Sequence, residues 1–178
     1  MHSIFKRYSK ILSLTIICLA FLCVFNWITG VLLRKSLSVE FELEQVYLFG
    51  KHRYFDEEIA KFSFNLKTDL SKHYNWNIDR IIPSLNIKFN SNDGRKNEIT
   101  VWDDLITRKD FSHHIINLKS QKSKYFLTDV NKELRNKTVT VLFNLSFMPI
   151  IGFVHKQTLE VGSFTLPLSY IPHHKIKH

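Results

Sequence analysis

Residues 85–101 read LNIKFNSNDGRKNEITV. Leu85, Ile87 and Phe89 alternate with Asn86, Lys88 and Asn90, and Ile99-Thr-Val101 resumes the alternation beyond a polar gap. A period of two sends successive side chains to opposite faces, which suits a strand with one dry face and one wet face. The gap carries Asn92-Asp-Gly94, in which glycine supplies the positive φ that a tight reversal requires. The stretch is therefore a β-hairpin.

The same period recurs along the chain. Val39, Phe41 and Leu43 alternate with Glu40, Glu42 and Glu44. Phe62, Phe64 and Leu66 alternate with Ser63, Asn65 and Lys67, and Val139, Val141, Phe143 and Leu145 with Thr140, Leu142 and Asn144. Ile115-Ile116, Tyr125-Phe126 and Phe164-Thr-Leu166 add short strands. No stretch after residue 37 carries a helical stripe. Alternating, half-buried strands joined by turns predict an all-β fold, an antiparallel β-sandwich. Pro83 lacks a ladder donor and marks an edge or a bulge. Gly162 marks a bulge.

The chain has 178 residues, enough for one domain and a small extra element. Fifteen Phe and three Trp can fill a core. The formal charge is +9, but the basic residues are scattered among acids without a long like-charge run. That pattern argues against nucleic-acid binding. Both cysteines, Cys18 and Cys23, fall in the most apolar stretch, so the sandwich stands without disulfides. At about 145 residues, the part of the chain after the apolar stretch is large enough to do so.

Residues 11–33, ILSLTIICLAFLCVFNWITGVLL, hold 23 positions without a charge. As a helix this run spans roughly 35 Å, against a hydrocarbon core of about 30 Å. It exceeds the usual h-region of about 7–15 residues, which argues against a cleavable signal peptide. Arg34 and Lys35 also separate it from the small-residue site Ser36-Leu-Ser38. The expected organisation is a cytosolic tail (1–10), a transmembrane signal-anchor helix (11–33), a lumenal β-sandwich (34–172) and a basic C-terminal tail (173–178). Lys6, Arg7 and Lys10 against Arg34 and Lys35 favour a cytosolic N-terminus. Asn26, Trp27, Thr29 and Gly30 either admit a neighbouring helix or, at Trp27, anchor the interface; both readings stand. Two sequons, Asn136-Lys-Thr138 and Asn144-Leu-Ser146, fit a lumenal domain.

Catalytic signals are weak throughout. His113 and His114 are adjacent on an expected strand and would face opposite ways. His173, His174 and His178 lie in the tail without a neighbouring acid. No G-x-S-x-G occurs, and no Ser–Lys pair stands out. Asp103 and Asp104 would also diverge, one binding backbone or a basic side chain. The sequence leads to no catalytic, cofactor or metal site and no small-molecule substrate. Trp76 and Trp102 sit at strand ends. Trp76 is expected to bury its ring in the sandwich, with Asn75 and Asn77 satisfying the backbone; an interface role for this stretch stays open.

Several features taken in order resemble one family. They are Asp69-Leu70, Tyr74-Asn75-Trp76-Asn77, the strand through Leu85 and Phe89, and Val101-Trp102-Asp103 with Asp104-Leu-Ile106. Leu118-Lys119, Lys124-Tyr125-Phe126, Asp129, and Pro149 with Gly152 continue the series. The ordered set resembles signal peptidase complex subunit 3, the glycoprotein subunit, from the membrane helix to about residue 170. The chain departs from the family pattern at Asp79, Arg80, Pro83, Leu145 and Ser146. The resemblance implies a single-pass type II protein of the endoplasmic reticulum membrane, with a lumenal sandwich and no catalytic residues of its own. It would bind and support the serine protease subunit that removes signal peptides, together with the other subunits. Trp76, Asn77, Trp102, Asp103, Lys124, Tyr125, Pro149 and Gly152 are its candidate structural or partner-contact residues, and Asn136 and Asn144 its candidate glycan acceptors. The alternative is a single-pass receptor or binding module whose sandwich is unrelated to proteolysis.

Overall fold

A computed structural model describes residues 4–32, 37–52, 54–110 and 114–171. Arg34, Lys35, Ser36, His113 and the tail 173–178 lie outside the described residues. The chain opens with helix α1 (Ile4–Leu32), whose stretch Ile4–Thr29 is apolar and long enough to cross a membrane. Its apolar side chains are almost all exposed, so no protein core accounts for their hydrophobicity.

Nine strands follow among the described residues, and every pairing among them is antiparallel. β1 (Val39–Lys51), β2 (Glu58–Asp69), β6 (Ile115–Lys122) and β7 (Leu127–Asp129) form one sheet, ordered β1-β2-β6 with β7 also on β2. β4 (Lys96–Asp103), β3 (Ile78–Asn90), β8 (Thr138–Pro149) and β9 (His155–Thr165) form the other, with β5 (Ile106–Thr107) also on β3. The inner faces meet as the alternation requires. Phe62 of one sheet packs edge-on against Phe164 of the other at 5.5 Å, and Phe64 against Trp102 at 6.4 Å. Leu85, Ile87, Val141, Phe143 and Leu145 complete the middle of a single core.

The hairpin β3–β4 turns through Asn92–Gly94, with Gly94 at φ 77°. Gly162 lies at a bulge, where the β8–β9 register shifts between Val141 and Leu142. Pro83 corrects the expectation of an edge, because β3 is interior and Pro83 pairs with Leu145 of β8. Its missing donor falls on the opposite side, where β4 gives way to β5 and the Pro83 carbonyl accepts the Asp104 amide at 3.0 Å. The chain thus puts its donorless residue at a break in the ladder. Tyr125-Phe126 is a bend between β6 and β7 rather than a strand. His114 precedes β6 instead of lying on it.

The register fixes two poles. Strand ends Asp69, Ile78, Thr107, Ile115, Pro149 and His155 gather at the pole that meets α1. The turn 135–136, Glu58 and Lys51 lie at the far pole. There Glu58 is fully buried, accepting bonds from Arg135 Nε (3.0 Å), the Tyr170 hydroxyl (2.8 Å) and the Leu134 amide (3.0 Å).

Candidate functional site

The expected site residues sort into two places. Trp76, Asn77, Pro149 and Gly152 meet at the pole against α1. Trp102, Asp103, Lys124 and Tyr125 meet at the side of the sandwich, where β4 faces the bend between β6 and β7.

At the α1 pole, the loop between β2 and β3 is held at nearly every residue. The Tyr74 hydroxyl donates to the Ile106 carbonyl (2.8 Å), and its ring stacks on buried His114 at 4.1 Å. Burial pushes the Tyr74 phenol up to about 12, with the charges of Asp110 and Asp79 adding to the rise. Asn75 Oδ1 accepts the Asn77 amide (2.9 Å), an Asx turn that aims the chain into β3. Arg108 Nη1 donates to the Trp76 carbonyl (3.1 Å).

Asn77 reaches across to the β8–β9 connection. Its carbonyl accepts the Ile150 amide (2.7 Å), its Nδ2 donates to the Ile151 carbonyl (2.9 Å), and its Oδ1 accepts the Ile151 amide (3.0 Å). Paired donor and acceptor atoms on one short side chain are what this amide-to-backbone clasp requires. Asn77 is buried, as expected for a residue serving the backbone.

Trp76 departs from expectation. Its ring is not in the sandwich core but 48% exposed, turned outward to α1. With Ile151 it forms one wall of an open cleft of about 620 Å³, whose other wall is Leu19, Leu22, Cys23, Phe25, Asn26 and Thr29. Asn26 is the buried residue of α1 among those described, and its Oδ1 has no partner there. Gly152 lies so close to Trp27 that a Cβ would stand 2.6 Å from the indole Cδ1. At φ 116° the position excludes other residues on conformational grounds as well. Sequence reasoning gave Gly152 only through the family resemblance and missed its contact with Trp27. The run Pro149–Val154, apolar apart from its one glycine and no longer alternating, was the signal.

At the second place Trp102 is buried in the core, while Lys124 Nζ binds the Asp103 carbonyl and stands 3.5 Å from its carboxylate. The same ammonium lies 5.8 Å above the Trp102 ring. The Tyr125 amide donates to the Val101 carbonyl (3.1 Å), leaving its ring half exposed beside Phe126. Asp104 lies just past the strand end and accepts the Leu105 amide (2.9 Å). This is a polar clamp around an aromatic edge. Among the described residues, no group of three or more His, Cys, Asp or Glu is placed to hold a metal ion.

Of the two sequons, Asn136 is exposed in the far-pole turn at φ 52°. Asn144 lies in mid-strand on β8, its Nδ2 donating to Glu98 Oε1 (3.2 Å).

Comparisons with known proteins bear on identity. The chain is 29% identical to "Signal peptidase complex subunit 3" of Debaryomyces hansenii over 140 residues, 78% of this chain and 73% of that one. It is 39% identical to the protein of the same name from Yarrowia lipolytica over 117 residues, 62% of this chain and 60% of the relative. The like-named protein of Dictyostelium discoideum is 23% identical over 172 residues, covering 96% of this chain and 98% of its own. The family profile described as "Signal peptidase subunit" matches residues 1–169, nearly the whole span from α1 through both sheets, and the chain belongs to that family.

Proposed function

We propose that this chain is a non-catalytic accessory subunit of the signal peptidase complex in the endoplasmic reticulum membrane. α1 crosses the bilayer with its N-terminus cytosolic, and the sandwich stands in the lumen. The sandwich binds the catalytic serine protease subunit and holds it at a fixed height above the membrane.

Family membership supports the complex. The observation that carries the mechanical role is the clasp from Asn77 to Ile150 and Ile151, backed by Gly152 against Trp27. Through it the sandwich is attached to α1 by packing as well as by the chain. A domain held at two points cannot swivel on its anchor, and a docked protease keeps its orientation to the bilayer. The Trp102–Asp103–Lys124–Tyr125 clamp, with the half-exposed rings of Tyr125 and Phe126 beside an ammonium fixed over buried Trp102, has the composition of a docking hot spot and is the proposed protease contact.

The test is affinity purification from mildly solubilised membranes, with depletion alongside. A membrane serine protease of the signal peptidase type should co-purify near one-to-one, and depletion should leave secretory precursors uncleaved. Purification of the chain alone, with precursor cleavage intact after depletion, overturns the reading.

A further inference from the structure

The β8–β9 connection is too apolar for a loop in water. Ile150, Ile151, Phe153 and Val154 are exposed, Phe153 at 83%, and Trp76 stands beside them. We infer that this connection and Trp76 insert into the lumenal leaflet, so that the sandwich contacts lipid through its own surface and not only through α1. The inference rests on the proposal that α1 spans the bilayer.

Depth carries the argument. Gly152 packs against Trp27, five residues before α1 and its apolar run reach Leu32, the last described position of the helix. At about 1.5 Å per residue, that contact lies roughly 7.5 Å inside that end of the run. Trp76 and Ile151 line a cleft whose helix wall extends back to Leu19, deeper still. If the run fills the hydrocarbon, the loop tip lies within the membrane's thickness rather than above it.

The chemistry of the loop agrees. Backbone in contact with acyl chains needs its polar groups satisfied internally. The amides of Ile150 and Ile151 and the carbonyl of Ile151 are all taken by Asn77. Thr29 Oγ1, facing the same cleft, donates back to the Asn26 carbonyl (2.8 Å). The Trp76 carbonyl is capped by Arg108, and half-exposed Arg80 is paired with Asp79 at 3.1 Å; with the loop inserted, both guanidinium groups come to the level of lipid phosphates. An indole near the rim, aliphatic and phenyl groups at the tip and guanidinium groups behind them form the profile of a membrane-interface element. The partner this surface fits is phospholipid.

The experiment uses the full chain with a single environment-sensitive fluorophore, reconstituted in phosphatidylcholine vesicles. One variant keeps Cys18 (Cys23→Ser). Two others carry Cys18→Ser and Cys23→Ser with either Phe153→Cys or Asn136→Cys. Each is quenched by aqueous iodide and by phosphatidylcholine carrying a spin label on its acyl chain. The label at position 153 should follow the Cys18 label, with lipid quenching several-fold above iodide quenching. The label at 136 should do the opposite. If position 153 is as open to iodide as position 136 while Cys18 is quenched by lipid, the loop inference fails and the spanning helix survives. If Cys18 is not quenched by lipid, both fall. The measurement is repeated on the purified complex in phosphatidylcholine nanodiscs. Loss of both quenching modes at 153 there means that a protein covers the loop, which also overturns the inference.

Discussion

Replacing Asn77 by alanine tests the clasp directly. The side chain makes both a donor bond and an acceptor bond to Ile151, at 2.9 and 3.0 Å, and is almost wholly buried. Each such bond contributes about 0.5–1.5 kcal/mol net, and the orphaned Ile151 groups add a desolvation cost. The expected loss is about 2 kcal/mol, a fall in Tm of roughly 6–10 °C for a domain of this size. Asn75→Ala removes only the local bond to the Asn77 amide and should cost about 1 kcal/mol. Asn77→Asp keeps the acceptor for the Ile151 amide, loses the donor to its carbonyl and puts a charge in a dry site, so it should be at least as harmful as alanine. Thermal unfolding of the full chain in detergent micelles, followed by near-ultraviolet circular dichroism, reads the sandwich through buried Trp102. If Asn77→Ala falls within about 0.5 kcal/mol of the parent, or matches Asn75→Ala, the β8–β9 connection is held by something else and the reasoning is wrong.

Gly152→Ala should cost about 1–3 kcal/mol through its φ of 116° and its approach to Trp27. Trp27→Ala in the same chain should recover part of that loss by relieving the contact but not the backbone strain; no recovery would mean that the contact is not made. Asn136→Gln should abolish an endoglycosidase-sensitive mobility shift, whereas Asn144→Gln should leave it, since Asn144 Nδ2 is engaged with Glu98; a shift lost with Asn144 alone would refute this assignment, and no shift at all would count against a lumenal sandwich. The Tyr74 phenol, raised to about 12 by burial and by Asp110 and Asp79, favours the folded state as long as it is neutral. Its contribution is complete below the unfolded value near 10 and is lost as pH rises from there through about 12. Tyr74→Phe should flatten the alkaline fall in stability over that window, and an unchanged slope would place the titration elsewhere.

The sandwich was legible because its central strands have one wet face and one dry face. β3 alternates faithfully, with Leu85, Ile87 and Phe89 buried and their neighbours more open. β9 was seen only at Phe164-Thr-Leu166. As an edge strand it buries no residue fully, so His155–Gly162 carries little contrast between faces. β5 and β7 have two and three residues, too few for a period to register. Tyr125-Phe126 looked like a strand because it is aromatic, yet its rings stay half exposed around a bend. The site divided in the same way. Asn77 and Trp102 could be read as structural from their neighbours. The pairing of Gly152 with Trp27 joins residues 125 positions apart, one of them on α1, and no local pattern encodes it.

Trp76 shows where the reading of composition fails and why. An apolar residue at a strand mouth was assigned to the nearest core, because in a soluble domain that is the one place water is absent. A domain anchored in a membrane, as proposed for this one, has a second such place. The two environments select the same side chains and differ only in what the backbone must do. A core residue can rely on neighbouring strands for its hydrogen bonds, whereas a loop against lipid has to bring its own. Asn77 supplies those bonds for Ile150 and Ile151, so the two asparagines flanking Trp76 have separate tasks. Asn75 turns the chain toward β3, and Asn77 seals the neighbouring loop. A sandwich tied only through the link after α1 would be free to rotate about the helix axis. The contact between Gly152 and Trp27 removes that freedom, and its value to a complex lies in geometry more than in stability. The few kcal/mol at stake would leave the fold intact if lost, while the angle between the sandwich and α1, and with it the proposed orientation to the bilayer, would no longer be defined.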